Sequence, residues 1–292
     1  MADALIICRF VQFGAAMLLF GISSFFGLLV PRGLRDAMQT QQRRSILALS
    51  VIGLVTAIAW LCLEAGLAGD GWADTLNPGT LAAILADTNF GQVWVGRLVL
   101  GVLLLGVPFL PGRSARLALI LLSLLFLASL GLVGHAAMQE GLTGWAHRAN
   151  QMLHLLAAGF WLGALPPLLY CLTRLRATAW MADVEDALKR FSGLGHVAVA
   201  IVVLTGVINI GLILHQWPID LGSPYQALMA IKLGLVGLMI LIALGNRYIL
   251  VPMLDAAQPE MLRGLAIGTG TELLLGAAVI GLVSAFATFD PV

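Results

Sequence analysis

Three of the chain's five histidines fall within residues 134–165, a short stretch that joins two long apolar segments. His135 ends the first of these segments, while His147 and His154 are seven residues apart in the second and share a face if it is helical. Ionisable side chains inside membrane segments mark functional sites and face a bundle interior or a water-filled cavity. We therefore predict a site that contains His135 and His154. His147 is either a further member of this site or an interfacial residue wetted by headgroup water.

Two neighbouring side chains indicate which metal such a site would bind. Met138 follows His135 by three residues, and Gln151 lies between His147 and His154 on the same helical face. Thioether and thiolate groups select Cu(I), imidazole accepts copper in either oxidation state, and no carboxylate-rich cage for magnesium or calcium is visible. The predicted ligands are therefore His135, His154, Met138 and His147, with a copper ion of undetermined oxidation state as the metal. Gln151 is a candidate for a supporting role.

The elements that would position these residues are membrane helices. The chain has 292 residues, of which 60% are hydrophobic and only 11% charged, and this is too apolar for a soluble globular domain. A hydrocarbon core of ~30 Å requires about 20 apolar residues per helix. We predict an all-α membrane bundle, organised as a single transmembrane domain over residues 1–292, in which small-xxx-small spacings such as Gly159 to Gly163 allow close packing. The eight predicted spans are 4–30, 45–68, 90–110, 117–138, 148–172, 191–215, 225–250 and 265–288.

The distribution of charge between the loops predicts the orientation. Basic residues concentrate in the odd-numbered connections, whereas the even-numbered ones carry acidic residues. By the positive-inside rule the odd loops are cytoplasmic, so both termini and the histidine-rich stretch face the periplasm. The first span lacks the basic n-region of a signal peptide and is too long for its apolar region, so we expect it to be retained. The basic residues of the odd connections are Arg32, Arg35, Arg43, Arg44, Arg113, Arg116, Arg174, Arg176, Lys189, Arg190, Arg247 and Arg263.

Further ionisable residues fall inside the predicted spans. Glu64 ends the second span, either as a solvated carboxylate or as an acceptor that orients an imidazole. Arg97 lies about two turns inside the third span and requires an acidic or carbonyl partner. Lys232 and Glu272 lie at depths that leave a gap of under ~10 Å between them, so we predict an intramembrane ion pair. His196, near the inner end of the sixth span, is expected to be structural or interfacial.

The longest even-numbered loop, residues 69–89, contains an Asn-Pro pair followed by apolar residues at helical spacing. This pattern predicts a short amphipathic helix that lies over the outer face. The three cysteines match no C-x-x-C spacing, so neither a disulfide framework nor a structural zinc site is expected. The sequence leaves open whether Cys8, Cys62 or His215 joins the metal site.

Several segments form a combination that is more specific than any one of them. They are GHAAMQEG, HLLAAGFWLGALPPL, TNFGQVWVGRL, FSGLGHVAVAIVVLTGVIN, SPYQALMAIKLGL and LRGLAIGTGTELLLGAAVIGL. Together they resemble the CopD family, the membrane component of bacterial copper-resistance systems. The resemblance covers nearly the whole chain and is strongest over residues 90–288. It implies a multi-pass inner-membrane protein of copper homeostasis whose partners are membrane lipid and a periplasmic copper carrier of the CopC type, with no nucleic acid.

The resemblance also implies roles for individual residues. His135 and His154 match the histidines of the family. Members of the family often place a histidine early in the first helix, where this chain has Gln12, so that potential metal ligand is missing here. The other polar positions of the family correspond to Arg97, Tyr225, Lys232 and Glu272.

We predict a copper-handling membrane protein, and not an enzyme, that accepts copper at the periplasmic face and moves it into or across the membrane. No G-x-x-x-x-G-K-[ST] motif is present, so such transport would be passive, ion-coupled or carrier-driven. One alternative is a b-type membrane cytochrome in which His135 and His154 ligate haem b axially. Another is a non-transporting membrane partner whose histidines only dock a periplasmic copper carrier.

Overall fold

The computed structural model describes residues 1–134, 139–174, 179–214, 221–253 and 259–286. All regular structure in these ranges is helical. Within these ranges, eight helical segments are long and apolar enough to cross a membrane, which confirms the predicted number of spans. They are Ala2–Leu29, Gln39–Ala68, Asn89–Phe109, Gly112–Leu132, Gly141–Arg174, Met181–Leu214, Pro224–Leu250 and Glu260–Phe286.

Two of the α-helices in the described ranges are short and lie between spans. The helix Pro78–Asp87 confirms the one predicted in the second connection. Its N-terminus is capped by Asn77, whose side-chain oxygen accepts hydrogen bonds from two backbone N–H groups of the first turn. In chain order the α-helices are α1 (Ala2–Ser24), α2 (Arg32–Ala37), α3 (Gln39–Ala68), α4 (Pro78–Asp87), α5 (Asn89–Gly106), α6 (Gly112–Ala128), α7 (Gly141–Arg174), α8 (Met181–Leu214), α9 (Pro224–Gly245) and α10 (Pro259–Phe286).

Five of the spans begin at least five residues earlier than hydropathy predicted, and the difference is largest for α7 and α8. Helix α7 starts at Gly141 and α8 at Met181, whereas the apolar runs begin at 148 and 191. The first turns of α8 are stabilised by two ion pairs with i,i+4 spacing, Glu185 with Lys189 and Asp186 with Arg190. Hydropathy detects only the part of a helix that suits hydrocarbon, so it misses turns that continue into water.

Helix α7 lies at the centre of the bundle and packs against α1, α6, α8 and α10. Gly159 and Gly163 allow it to approach α1 closely, because a Cβ on Gly163 would overlap the carbonyl oxygen of Met17 and the Cα of Gly21. The predicted small-xxx-small packing is therefore present. Since α1 occupies one side of α7, the histidines of α7 face the other neighbours. We define the outer end of the bundle as the end at which α7 begins, which is periplasmic in the predicted orientation.

Candidate functional site

A line of polar side chains runs between α7 and α8 through an otherwise apolar bundle. We call this line the α7–α8 seam. Buried polar groups in a membrane protein must satisfy one another, because lipid offers them no hydrogen bonds. The seam consists of Gln139, His147, Asn150, Gln151, His154, Thr205 and Asn209.

Three amide side chains hold the two helices together at the middle of the seam. The Nδ2 atom of Asn150 donates to the carbonyl oxygen of Thr205 at 2.9 Å and to Oδ1 of Asn209 at 2.8 Å. Asn209 in turn donates from Nδ2 to Oε1 of Gln151 at 2.7 Å. These bonds cross from α7 to α8 and back, so they fix the axial register of the two helices. The imidazoles on α7 are positioned by that register.

His154 is held by α8 in one tautomer. Its Nδ1 atom lies 2.9 Å from Oγ1 of Thr205, and the Thr205 hydroxyl donates its proton to the carbonyl oxygen of Ile201 at 2.5 Å. Oγ1 therefore accepts from Nδ1–H, which leaves the imidazole lone pair on Nε2. Histidines that bind metals commonly use one ring nitrogen as ligand while the other donates to a fixed acceptor. In His154, Nδ1–H donates to the fixed acceptor Thr205, and Nε2 is the nitrogen that could serve as the ligand.

His147 shows the same arrangement nearer the outer end. Its side chain is buried, and Nδ1 lies 3.2 Å from Oε1 of Gln139. The Gln139 amide is oriented by a bond from its Nε2 to the carbonyl oxygen of Leu212 at 2.8 Å, so its oxygen faces the histidine. Nδ1 of His147 is therefore the donor and Nε2 carries the lone pair. The residue is part of the seam, which does not fit an exposed interfacial histidine.

The structure separates His147 and His154 along α7 instead of bringing them to one point. They are two turns apart, about 10 Å at ~1.5 Å per residue. In the described part of the chain, no group of three or more His, Cys, Asp and Glu side chains is placed to hold a metal ion. The predicted ligands His135 and Met138 lie outside the described residues, as does His215.

Arg97 has the carbonyl partner that the sequence predicted. Its side chain is fully buried, and Nη1 donates to the carbonyl oxygen of Phe126 and to Oγ of Ser129, the latter at 2.6 Å. The guanidinium also lies 3.9 Å from the centre of the Phe126 ring. These partners are at the end of α6, where a 3₁₀ segment, Ser129–Leu132, begins. Arg97 thus anchors the segment that leads toward residue 135 and does not reach the seam.

Glu64 has partners other than a histidine. Its Oε1 accepts from Nε1 of Trp60 at 2.9 Å and lies 3.8 Å from Nη2 of Arg9. The alternative in which Glu64 orients an imidazole is therefore wrong for His147 and His154. Glu64 lies on α3, which packs on α1 and α5, whereas the two histidines bond toward α8 and Gln139. Cys8 is also turned toward α3, where its Sγ donates to the carbonyl oxygen of Thr56.

The predicted ion pair between Lys232 and Glu272 is not present. Glu272 accepts from Nδ2 of Asn246 at 3.2 Å, whereas Nζ of Lys232 lies 5.9 Å from the centre of the Phe286 ring. Phe286 is fourteen residues beyond Glu272 on α10, about 20 Å at ~1.5 Å per residue. The prediction failed in part because α10 begins at Pro259, six residues before the predicted start of its span, so the depth of Glu272 counted from the apolar end was wrong.

The sequence analysis missed four members of the seam, Gln139, Asn150, Thr205 and Asn209. A signal for three of them exists: Asn150 precedes His154 by four residues, and Thr205 precedes Asn209 by four. Each pair shares a helix face, so two polar faces of matching spacing occur on consecutive spans. No comparable signal marks Gln139, because its role depends on a contact with α8.

These features define a polytopic helical membrane protein with a histidine-bearing polar seam at the centre of its bundle. Comparison with known families identifies it further. The family model for the copper resistance protein D-like N-terminal domain matches residues 1–145, and the model for copper resistance protein D matches residues 185–286. The chain belongs to the copper resistance protein D family, as the resemblance predicted.

Full-length relatives support this assignment. The chain is 34% identical to the inner membrane protein YebZ of Escherichia coli K12, over 97% of both proteins. It is 31% identical to copper resistance protein D of Pseudomonas syringae pv. tomato, over 97% of this chain and 95% of that protein. The copper transport protein CutJ of Bacillus subtilis 168 is 26% identical over 78% of this chain and 43% of its own length. No solved structure matches. The eight spans and these relatives identify a multi-pass inner-membrane protein, as predicted.

Proposed function

We propose that this protein binds copper at its periplasmic end and moves it along α7 into or across the membrane, as a binding and transport protein and not as an enzyme. The observation that carries the proposal is the tautomer of His154. Its Nδ1–H is bonded to Thr205, so a neutral imidazole presents the Nε2 lone pair inside an apolar bundle. A lone pair of this kind suits copper in either oxidation state. The names of two relatives, copper resistance protein D and copper transport protein CutJ, support copper as the cargo.

The geometry favours successive binding positions over one cluster. His147 and His154 are about 10 Å apart along α7, with Asn150 and Gln151 between them. We infer that His147, together with His135 and Met138, receives copper at the outer end and that His154 takes it next. The expected donor is a periplasmic copper carrier of the CopC type, which the family resemblance implies.

The test is the copper and haem content of the purified protein, wild type beside His135→Ala and His154→Ala. Leu153→Ala is the matched control, because Leu153 precedes His154 on α7 but faces outward from the bundle. We expect each histidine variant to bind fewer equivalents of copper than the wild type, while its helical circular dichroism stays that of the wild type. Leu153→Ala should bind copper as the wild type does.

Two results would count against the proposal. A copper stoichiometry equal to that of the wild type in both His135→Ala and His154→Ala would show that these residues are not the ligands. A bis-histidine Soret band in the wild type, unchanged by copper chelation and lost in either variant, would favour the cytochrome alternative instead.

A further inference from the structure

A cavity of about 200 Å³ lies between α7, α8, α9 and α10, farther from the outer end than the seam. Its walls are mainly apolar, and none of its lining residues belongs to the seam. A space of this size holds several water molecules, or an ion with part of its hydration shell. The polar side chains that line it include His196, Glu272, Asn246, Thr269 and Arg247.

His196 brings a lone pair to this cavity. Its Nδ1 lies 2.9 Å from the carbonyl oxygen of Ser192, which can only accept, so Nδ1 carries the proton and Nε2 the lone pair. Nε2 is buried and has no hydrogen-bond partner among the described residues. Buried polar atoms in native structures nearly always have a partner, so an unpaired ring nitrogen beside a cavity indicates a missing ligand.

Glu272 brings a carboxyl group that forms no ion pair in the described ranges, although Arg247 also lines the cavity. It is 3% exposed, and it accepts hydrogen bonds from Asn246 and from the side chain of Trp161. Both donors are uncharged. None of the ion pairs found in the described ranges includes Glu272. A carboxylate that forms no ion pair in a membrane interior is disfavoured, so a cation bound beside Glu272 would stabilise its charged form.

We infer that this cavity is a second cation site, in which His196 and Glu272 bind a partly hydrated copper ion. Imidazole is a copper ligand, and the carboxylate supplies the compensating charge while water completes the coordination. Trp161, which bonds to Glu272, follows His154 by seven residues on α7, so the cavity begins about two turns inward from the seam. The inference rests on the proposed function, since it gives the same cargo a later position. It assigns a role to His196, which the sequence suggested was structural or interfacial.

The first test is a Cu²⁺ titration of the purified full-length protein, with stoichiometry and the electron paramagnetic resonance spectrum as readouts. We expect Glu272→Gln and His196→Gln to lose the same single equivalent and the same spectral component. Asp186→Asn removes a carboxylate from an exposed pair on α8 and should bind as the wild type does. Unchanged Cu²⁺ binding in either Glu272→Gln or His196→Gln would overturn the inference.

His154→Ala separates this inference from the proposed function. The equivalent that depends on Glu272 should persist in His154→Ala, and its loss there would overturn the idea of a separate site. If His154→Ala leaves all copper binding unchanged while Glu272→Gln does not, the outer site of the proposed function fails and the inner site stands.

A matched pair of glycine variants tests the cavity without removing a ligand. Gly195 lines the cavity, and a Cβ there would meet no atom within 4 Å. Gly193, also on α8, is equally free of close neighbours but does not line the cavity. We expect Gly195→Leu to lose the inner copper equivalent and Gly193→Leu to keep it. Equal binding by the two variants would overturn the inference, and the pair remains informative if Glu272→Gln fails to fold.

Discussion

Replacing Thr205 by valine should weaken copper binding at His154 without changing the shape of the seam. Valine has nearly the same volume as threonine but cannot accept the Nδ1–H of His154, a bond of 2.9 Å in the structure. A neutral hydrogen bond contributes about 0.5–1.5 kcal/mol, and 1.4 kcal/mol corresponds to a factor of ten in affinity. Without this acceptor the backbone of Val202 remains as a hydrogen-bond partner of the imidazole, but the ring is held less firmly, so part of its population no longer presents Nε2. We therefore expect Thr205→Val to lower copper affinity by about twofold to tenfold.

The assay is an anaerobic competition titration of Cu(I) against a chromophoric chelator, with the purified protein in detergent. Thr205→Ser keeps the hydroxyl and should retain most of the affinity. Thr271→Val is the matched control, because the Thr271 hydroxyl bonds only to its own helix, at the carbonyl oxygen of Ile267. Equal affinities for Thr205→Val and wild type, or an equal loss in Thr205→Ser, would refute the argument that this hydroxyl sets the histidine tautomer.

Two further predictions concern the fold and its outer loop. Gly163→Leu should lower the midpoint of thermal unfolding and the folded yield, because a side chain there overlaps the backbone of Met17. Overpacking of this kind typically destabilises by about 1–3 kcal/mol. A Cβ at Gly96 meets no atom within 4 Å, so Gly96→Leu should leave the midpoint and the yield unchanged. The pKa of Asp74 is lowered because its carboxylate accepts hydrogen bonds from the backbone N–H of Asp70 and from the side chain of Asn77. The stability that these bonds contribute is therefore fully present above the unfolded pKa of 3.8, and it is lost as the pH falls through the lower pKa of the folded state. Asp74→Ala removes this acceptor and should therefore speed hydrogen exchange at the Asp70 amide at pH 7, and an unchanged rate would contradict the assigned bond.

Much of the fold could be predicted because it depends on local pattern. Apolar runs of membrane length give the eight spans, and the Asn-Pro start gives α4. Pairing between helices could not be predicted in the same way. Whether Lys232 meets Glu272 depends on the axial offset of α9 and α10, and an error of a few residues at each helix end moves a side chain by a whole turn or more.

The candidate site shows the same limit. His147 and His154 could be chosen because imidazole is rare in apolar segments and their spacing places them on one face. The groups that give them a defined tautomer, Thr205 and Gln139, are ordinary residues until α8 is placed beside α7. Composition and periodicity carry information about one helix at a time, whereas the function of a buried histidine depends on the partner across the interface.

The position of α7 explains how a single helix can connect the two ends of the proposed path. The two family matches end at 145 and resume at 185, so most of α7 lies between them, and it packs against α1 and α6 of the first match and α8 and α10 of the second. His147, His154 and Trp161 recur every seven residues, and such a stripe drifts by ~20° per repeat because 3.6 does not divide seven. The drift accompanies a change of neighbour, from Thr205 of α8 at His154 to Glu272 of α10 at Trp161. In the proposed function, an ion passed inward along this stripe therefore moves from the seam to the cavity without leaving α7.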